Sequence, residues 1–507
     1  MIISCQPPIF SRSVATKLHL KDMILIKILQ DLALDMMLEE PACVEVVLHP
    51  LLKTLEITQE NLSSVLENCY NVENITFLTI CFDLKRQGSL EPQLFRFIGS
   101  LKHLTALKLS SNCTDQLLAV LGLSCTQLKI FDAEADSEMA FTDKGLSFLC
   151  NCSQLQSIVL NDEGTEFDAD ERYPGVTGAG VANLIISLHN LNLLLIDPHL
   201  LKEAINFLYN VNFSSKSFPL KYLHLRFTNK DFIGMVKDLF PNLCSLRLED
   251  PNKDILQGLS EMKSVENLTL SCYAWLSLNE IQLKASLENL KILTLRNPKI
   301  LGIDMKLMKD IGNWCRELHT LTIAVYNNEG FVNTSHRISN KEIFFPKLKS
   351  LMFEGDVSIE LIETFLSAIR DLEKISIYVH GFNFAPGVMD QLILQLVKCG
   401  NLAKLRYIQF YHWEVSLETL LYLIDQSIHL HTIWGLDLLT LSDESKTTIK
   451  DHIKKNNLNI NIFDGLAPEP TFGLEFLDKR FSRQADRLYE YAHQLELENI
   501  LIELNLL

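Results

Sequence analysis

The residue types in this chain best suited to chemistry are its cysteines and a run of carboxylates. Cys150 and Cys152 flank a single asparagine and are the closest-spaced thiols among twelve. A structural zinc site takes four Cys or His ligands, usually as two matched pairs, and no second pair follows at that distance. Cys69, Cys125, Cys152 and Cys315 each stand three residues before a recurrent apolar position. A thiol there acts as a small buried hydrophobe, so neither metal nor cofactor is expected. The acidic stretch 162–172 offers Glu166, Asp168, Asp170 and Glu171 as oxygen ligands for calcium. It lacks the alternating ligands, central glycine and terminal glutamate of an EF-hand loop, and a solvated insertion is the plainer reading. There is no phosphate-binding loop, no H-E-x-x-H and no G-x-S-x-G, and a non-enzyme is expected.

The regular position of those thiols points to the element that carries them. Phe218-Pro-Leu-Lys-Tyr-Leu-His-Leu returns as Phe240-Pro-Asn-Leu-Cys-Ser-Leu-Arg-Leu and as Phe345-Pro-Lys-Leu-Lys-Ser-Leu-Met-Phe. The shared pattern is L-x-x-L-x-L, whose last three positions alternate inward and outward as a strand does. It is found at Leu52/Leu55/Ile57, Val72/Ile75/Phe77, Leu104/Leu107/Leu109, Leu128/Phe131/Ala133, Leu155/Ile158/Leu160, Leu191/Leu194/Ile196, Leu220/Leu223/Leu225 and Leu243/Leu246/Leu248. It continues at Val265/Leu268/Leu270, Leu290/Leu293/Leu295, Leu318/Leu321/Ile323, Leu348/Leu351/Phe353, Leu372/Ile375/Ile377, Leu405/Ile408/Phe410 and Leu430/Ile433/Gly435. That makes about fifteen units of roughly 20 to 36 residues, near the period of leucine-rich repeats.

Between phrases the spacing predicts helices, as at 115–121, 254–259, 359–366 and 417–424, with Thr114, Ser358 and Ser416 available as N-caps. One strand and one helix cannot hide both apolar faces alone, and stacked neighbours can. The expected fold is α/β, a leucine-rich-repeat solenoid or horseshoe with a concave parallel β-sheet and outer helices. A solenoid grows by addition, so one elongated array is expected over 51–462, between an N-terminal segment 1–50 and a C-terminal helical cap 463–507.

The formal charge of −17 argues against nucleic acid and anionic membranes as partners, since both call for dense Lys and Arg. No apolar run reaches the length of a membrane span, and Met1-Ile-Ile-Ser-Cys-Gln-Pro-Pro lacks the form of a secretory signal. The expected compartment is cytoplasmic or nuclear, so the Asn-x-Ser/Thr sequences at Asn74, Asn112, Asn151 and Asn267 are read as unglycosylated.

The stretch 141–155, Phe-Thr-Asp-Lys-Gly-Leu-Ser-Phe-Leu-Cys-Asn-Cys-Ser-Gln-Leu, resembles the cysteine-containing repeat of F-box/LRR proteins, within the ribonuclease-inhibitor-like type of leucine-rich repeat. Val176-Thr-Gly-Ala-Gly-Val-Ala-Asn-Leu echoes it, and Asn112-Cys-Thr-Asp-Gln-Leu-Leu does so in part. Thr142 can cap the helix that Asp143 begins, with the carboxylate near the positive helix end. Later repeats mostly lack the cysteine and the Thr-Asp pair. Residues 20–32 resemble the first part of an F-box, with Asp22, Ile24, Leu25, Ile28, Leu29 and Leu32 at comparable positions. Lys21 replaces the usual proline, and no basic, Trp-containing second half follows. In the family this helix docks on the adaptor subunit of an SCF-type cullin-RING ubiquitin ligase. The resemblance therefore implies Ile24, Leu25, Ile28, Leu29 and Leu32 as adaptor contacts and a place in the ubiquitin-like conjugation pathway. The alternatives are a degenerate F-box and a simple cap over the open solenoid end.

The outward strand positions are where recognition is expected. They comprise Tyr222, His224 and Arg226; Ser245, Arg247 and Glu249; Asn267 and Thr269; Thr294 and Arg296; Thr320 and Thr322; Ser350 and Met352; Lys374, Ser376 and Tyr378; Gln409 and Tyr411; Thr432 and Trp434. Stacking brings Arg226, Arg247 and Arg296 into a cationic group and Tyr378, Tyr411 and Trp434 into an aromatic one. Arg, Tyr and Trp are frequent interface hot spots. Eight of these, Tyr222, His224, Arg226, Arg247, Arg296, Tyr378, Tyr411 and Trp434, form the expected protein-binding set; ordinary solvated sheet residues are the alternative. The predicted function is a protein–protein interaction module, either serving a ubiquitin ligase as substrate receptor or acting as a scaffold with no ligase connection. Inserts at 331–340 and 381–387 read as rim loops. The stretch 473–507 reads as a helix with Leu474, Leu477, Phe481, Leu488, Leu495 and Leu501 on one stripe.

Overall fold

The computed structural model describes residues 54–59, 61–67, 74–82, 91–109, 113–133, 141–160, 175–211, 216–226, 229–249, 251, 258–271, 288–296, 311–325, 345–355, 357, 359–378, 387–411, 414–439 and 441–463. The F-box-like stretch with Ile24, Leu25, Ile28, Leu29 and Leu32 lies outside these residues. So do the acidic loop 162–172, the insert 331–340, most of the insert 381–387 and the stretch 473–507.

The chain divides into two compact units, residues 1–204 and 205–507. In the first, the strands are β1 (Thr54–Ile57), β2 (Phe77–Ile80), β3 (Ala106–Leu109), β4 (Ile130–Asp132), β5 (Ser157–Val159) and β6 (Leu193–Leu195). Each pairs in parallel with the next. The intervening helices are α1 (Leu62–Glu67), α2 (Glu91–Ser100), α3 (Asp115–Ser124), α4 (Asp143–Leu149) and α5 (Gly178–Ser187); the unit boundary falls inside α6 (Pro198–Asn210).

The second unit carries β7 (Tyr222–Arg226), β8 (Ser245–Glu249), β9 (Asn267–Ser271), β10 (Ile292–Arg296), β11 (Thr320–Val325), β12 (Ser350–Gly355), β13 (Lys374–Tyr378), β14 (Tyr407–Tyr411), β15 (Thr432–Trp434) and β16 (Asn461–Phe463). They too pair in parallel in sequence order. Its further helices are α7 (Lys230–Leu239), α8 (Ile359–Ala368), α9 (Val388–Lys398), α10 (Leu417–Gln426) and α11 (Asp443–Lys455). A parallel strand ladder with one crossover per strand, repeated at the period of the leucine phrase, is a leucine-rich-repeat solenoid. Among the described residues no helix is long and apolar enough to cross a membrane.

The phrase works as three anchors. Its first residue follows a tight turn, as when Leu128 N–H bonds Cys125 O, Leu243 N–H bonds Phe240 O and Leu430 N–H bonds Ser427 O. Its second and third residues point into the core, where Leu107, Leu109, Leu246 and Leu248 are buried. The strand ladder starts one residue earlier than the strands themselves: Lys291, His319, Lys349 and Glu373 each receive or pass on a backbone bond from repeat to repeat at 2.7–2.9 Å.

Two expectations are corrected. The second phrase is Ile75/Leu78/Ile80, three residues beyond Val72/Ile75/Phe77, because Leu78 and Ile80 pair with Leu55 and Ile57. Phe77 faces outward and is half-exposed, while Leu78 and Ile80 are buried. A strand beyond the expected fifteen, β16, pairs Ile462 with Ile433. Its phrase has Asn459 and Asp464 where leucines stand elsewhere.

The Thr-Asp motif is a stitch between repeats. Thr114, Thr142 and Thr177 cap α3, α4 and α5, accepting from Leu117 N–H, Lys144 N–H and Gly180 N–H. Asp115, first in α3, accepts from both Thr142 N–H and Thr142 Oγ1–H at 2.8 Å. Asp143 does the same for Thr177, at 2.9 and 2.7 Å. Both carboxylate oxygens are used, and the backbone donor at the next cap gains a charged partner. The geometry leaves no room beside the carboxylate: a Cβ at Gly145 would fall on Asp115 Oδ1, and one at Gly180 on Asp143 Oδ1. The doubly bonded Asp115 and Asp143 are thus matched by Gly145 and Gly180 in the repeats that follow them. Farther along, Asp390 receives Ser416 N–H at 2.8 Å, while Ser416 Oγ turns to Thr419 Oγ1.

The periodic cysteines also reach across repeats. Cys125 Sγ lies 3.6 Å from Ile98 O, and Cys152 Sγ lies 3.6 Å from Leu121 O. Burial pushes the thiols of Cys125, Cys152 and Cys315 up to about 11, 12 and 12, which makes them poor nucleophiles at neutral pH. Asn401 fills the equivalent turn between α9 and β14, donating to Leu366 O and Ser367 O at 3.0 and 2.9 Å.

Candidate recognition surface

On the outer face of the second unit the pairing register stacks the variable positions into rows. One runs His224, Arg247, Thr269, Thr294, Thr322, Met352, Ser376, Gln409, Trp434 and Phe463. The next runs Arg226, Glu249, Ser271, Arg296, Ala324, Glu354, Tyr378 and Tyr411.

Alternation puts these side chains on the expected face, but burial divides them. His224 and Arg247 are only 5% and 4% exposed, and Tyr222, Thr294, Thr322, Ser376 and Gln409 are also buried. The three-arginine group is therefore not an open cationic patch. Glu249, half-buried, gathers two of its members with His224: Glu249 Oε1 lies 2.8 Å from His224 Nε2 and 3.2 Å from Arg247 Nη2, and Oε2 lies 3.7 Å from Arg226 Nε. Burial alone would raise the Glu249 carboxyl; His224, Arg247 and Arg226 outweigh it and hold it down to about 2. The carboxylate stays ionised and turns two strands into one electrostatic unit. Arg296 is half-buried in the same row as Glu249, with Ser271 between them.

Toward the C-terminal end the surface opens. Lys374 Nζ sits 4.5 Å from the centre of the Tyr407 ring, within reach of a cation–π attraction. Ser376 Oγ and Tyr407 Oη both approach Gln409 Oε1, at 3.2 and 3.5 Å. Tyr378 is half-exposed beside the Tyr411 backbone. Trp434 stacks on Phe463, ring centres 4.3 Å apart and planes 16° from parallel. Phe463 is 39% exposed. Trp434 and Phe463 thus form a short aromatic ridge, with Tyr407 and Tyr378 apart from it on the same face, a surface suited to non-covalent contact.

Tyr407 and Phe463 were not among the expected residues. Tyr407 follows from carrying the alternation one step toward the start of β14. Phe463 had no such signal, because the leucine phrase of β16 is eroded. The region used by the Thr-Asp stitch offers less of this kind: its outer row holds Lys108, Asp132 and the buried Val159 and Leu195, with Lys108 Nζ 3.4 Å from Asp132 Oδ2. Among the described residues no group of His, Cys, Asp and Glu has the arrangement of a metal site.

No protein-family model and no curated protein matches the chain. Several solved structures do. The leucine-rich repeat-containing protein LegL7 from Legionella pneumophila is 15% identical, with 57% of this chain and 87% of that one covered and a TM-score of 0.33. An internalin (inlF) from Listeria monocytogenes is 12% identical over 83% and 82% of the two chains, TM-score 0.21. A Bacteroides fragilis protein is 18% identical over 45% and 66%, TM-score 0.25. The fold assignment rests on the repeat register and the parallel ladder described above.

Proposed function

We propose that this chain is a non-catalytic recognition scaffold that holds a protein partner against the outer face of β12–β16. The observation that carries this reading is the aromatic ridge of stacked Trp434 and Phe463, on the same sheet face as Tyr407 and Tyr378. Arg247, His224 and Tyr222 enter it as buried support for the sheet, and Arg226 and Arg296 as its half-exposed flank. A cytoplasmic or nuclear site of action belongs to the same reading. It is supported by Cys113, Cys125, Cys152 and Cys315 being buried singly and not paired in disulfides, a usage that suits a reducing compartment.

Affinity purification with mass spectrometry, comparing the full chain with Trp434→Ala, tests the surface. A specific partner set retained by the full chain and depleted from the variant, at matched melting temperature, is the expected result; equal capture sinks it.

The finer reading is that the scaffold is a substrate receptor of an SCF-type ligase. It is supported by the resemblance of residues 20–32 to the first half of an F-box, with Ile24, Leu25, Ile28, Leu29 and Leu32 as the adaptor-facing residues. Adaptor subunit co-purifying with the full chain and lost on deleting residues 1–50 would support it. Its absence from both leaves a scaffold with no ligase connection.

A further inference from the structure

Within the second unit the apolar core is covered at β15 and only partly covered at β16. Ile433 in β15 is 2% exposed. In β16 the inward Ile462 is half-exposed, as are Leu458 and Ile460 just before it. Among the described residues no strand pairs the far edge of β16. A terminal repeat with part of its core in water needs a cover.

We propose that residues 474–502 of the same chain are that cover, packing an apolar stripe against β16 and the adjoining end of α11. Three observations favour this occupant. Leu474, Phe481, Leu488, Leu495 and Ile502 recur at seven-residue intervals, with Leu477, Ala485 and Ala492 between them. That pattern gives a helix one continuous apolar seam, which must be buried against something. The seam also begins close by, since residues 464–473 can span roughly 30 Å when extended. Charge agrees as well. Lys454 and Lys455 stand exposed at the end of α11, and the second half of the seam carries Glu490, Glu496, Glu498 and Glu503.

The test places the photo-crosslinking residue benzoyl-phenylalanine at position 462 of the full chain, the half-exposed inward position of β16, mixed with an isotope-labelled full chain. Crosslinks from 462 into 474–502 within chains of one isotope are expected, with the protein monomeric by light scattering. Crosslinks joining light and heavy chains would instead make a second copy the occupant, and no crosslink into 474–502 would overturn the proposal. In parallel, hydrogen exchange on the full chain carrying Phe481→Asp and Leu488→Asp should speed β16 amides at least tenfold and leave β7–β9 unchanged. Unchanged β16 exchange would also overturn it.

Discussion

The repeats between β3 and β6 and those between β12 and β16 rest on the same buried leucines but spend their variable residues in opposite places. In the earlier stretch the specialised residues sit at the helix entrances, where Asp115 and Asp143 clasp the caps of the following repeats. In the later stretch they sit on the outer sheet face, where Lys374, Tyr407, Gln409, Trp434 and Phe463 interact side by side. The motif that carries a family resemblance is therefore joinery, and the surface proposed for a partner lies where that motif has faded.

If this division is right, its common element is the core, and damage there is worst. Leu246→Ala and Ile158→Ala should each cost about 2 to 5 kcal/mol in chemical denaturation, one in each unit. A unit that tolerates the change would break the shared basis of the comparison.

Next comes the buried ion cluster. Arg247→Glu should cost about 3 to 5 kcal/mol, since it removes a cation from Glu249 and sets a second carboxylate beside it. Arg247 is thus a poor choice for probing partner binding. Glu249 also gives a pH signature. Its folded carboxyl lies at about 2, below the ~4.3 of an unfolded glutamate. Its contribution is fully present above pH ~4.3 and lost as pH falls toward 2, and can reach about 3 kcal/mol. The stability difference between the parent chain and Glu249→Gln should therefore stay level down to about pH 5 and shrink on further acidification toward about pH 2; a constant difference would exclude the ion cluster as its source.

Glycines separate the two designs more finely. Gly180→Ala pushes a methyl into the Asp143 carboxylate and should cost about 1 to 3 kcal/mol. Gly234→Ala, in α7 with open space around it, should gain up to about 1 kcal/mol from helix propensity. Adding Asp143→Ala to Gly180→Ala should return part of the loss; strictly additive effects would refute the stitch.

The smallest effect on stability belongs to the ridge. Trp434→Ala gives up a stacked ring pair worth about 0.5 to 1.5 kcal/mol, yet it should weaken partner capture at least tenfold. A variant that unfolds early but binds normally would assign the ridge to structure alone.

The fold was readable because L-x-x-L-x-L couples a period of two within the strand to a fixed spacing between strands, and burial enforces both. It misled where apolar residues were too many, at 72–80, or too few, at 459–464. In the first case Ile75 satisfied two registers, and only pairing with β1 decided between them. Outward direction was likewise legible from alternation, but exposure was not. His224 and Arg247 face outward and are still buried, and their convergence on Glu249 from two strands is a relation that spacing alone does not reveal. The role of Asp143 was half visible. Its closeness to a helix start follows from sequence, while its grip on Thr177 needs the next repeat in place.

That grip makes neighbouring repeats interdependent in a way the leucines never are. A leucine phrase repeats without regard to its neighbour, whereas Asp115 and Asp143 each lie against a successor that carries glycine three residues after its cap; at Asp390, where that position is Thr419, only the Ser416 N–H is clasped. Anyone grafting or shortening this array must therefore cut between clasped pairs, moving Asp115 with Gly145 and Asp143 with Gly180 as inseparable halves.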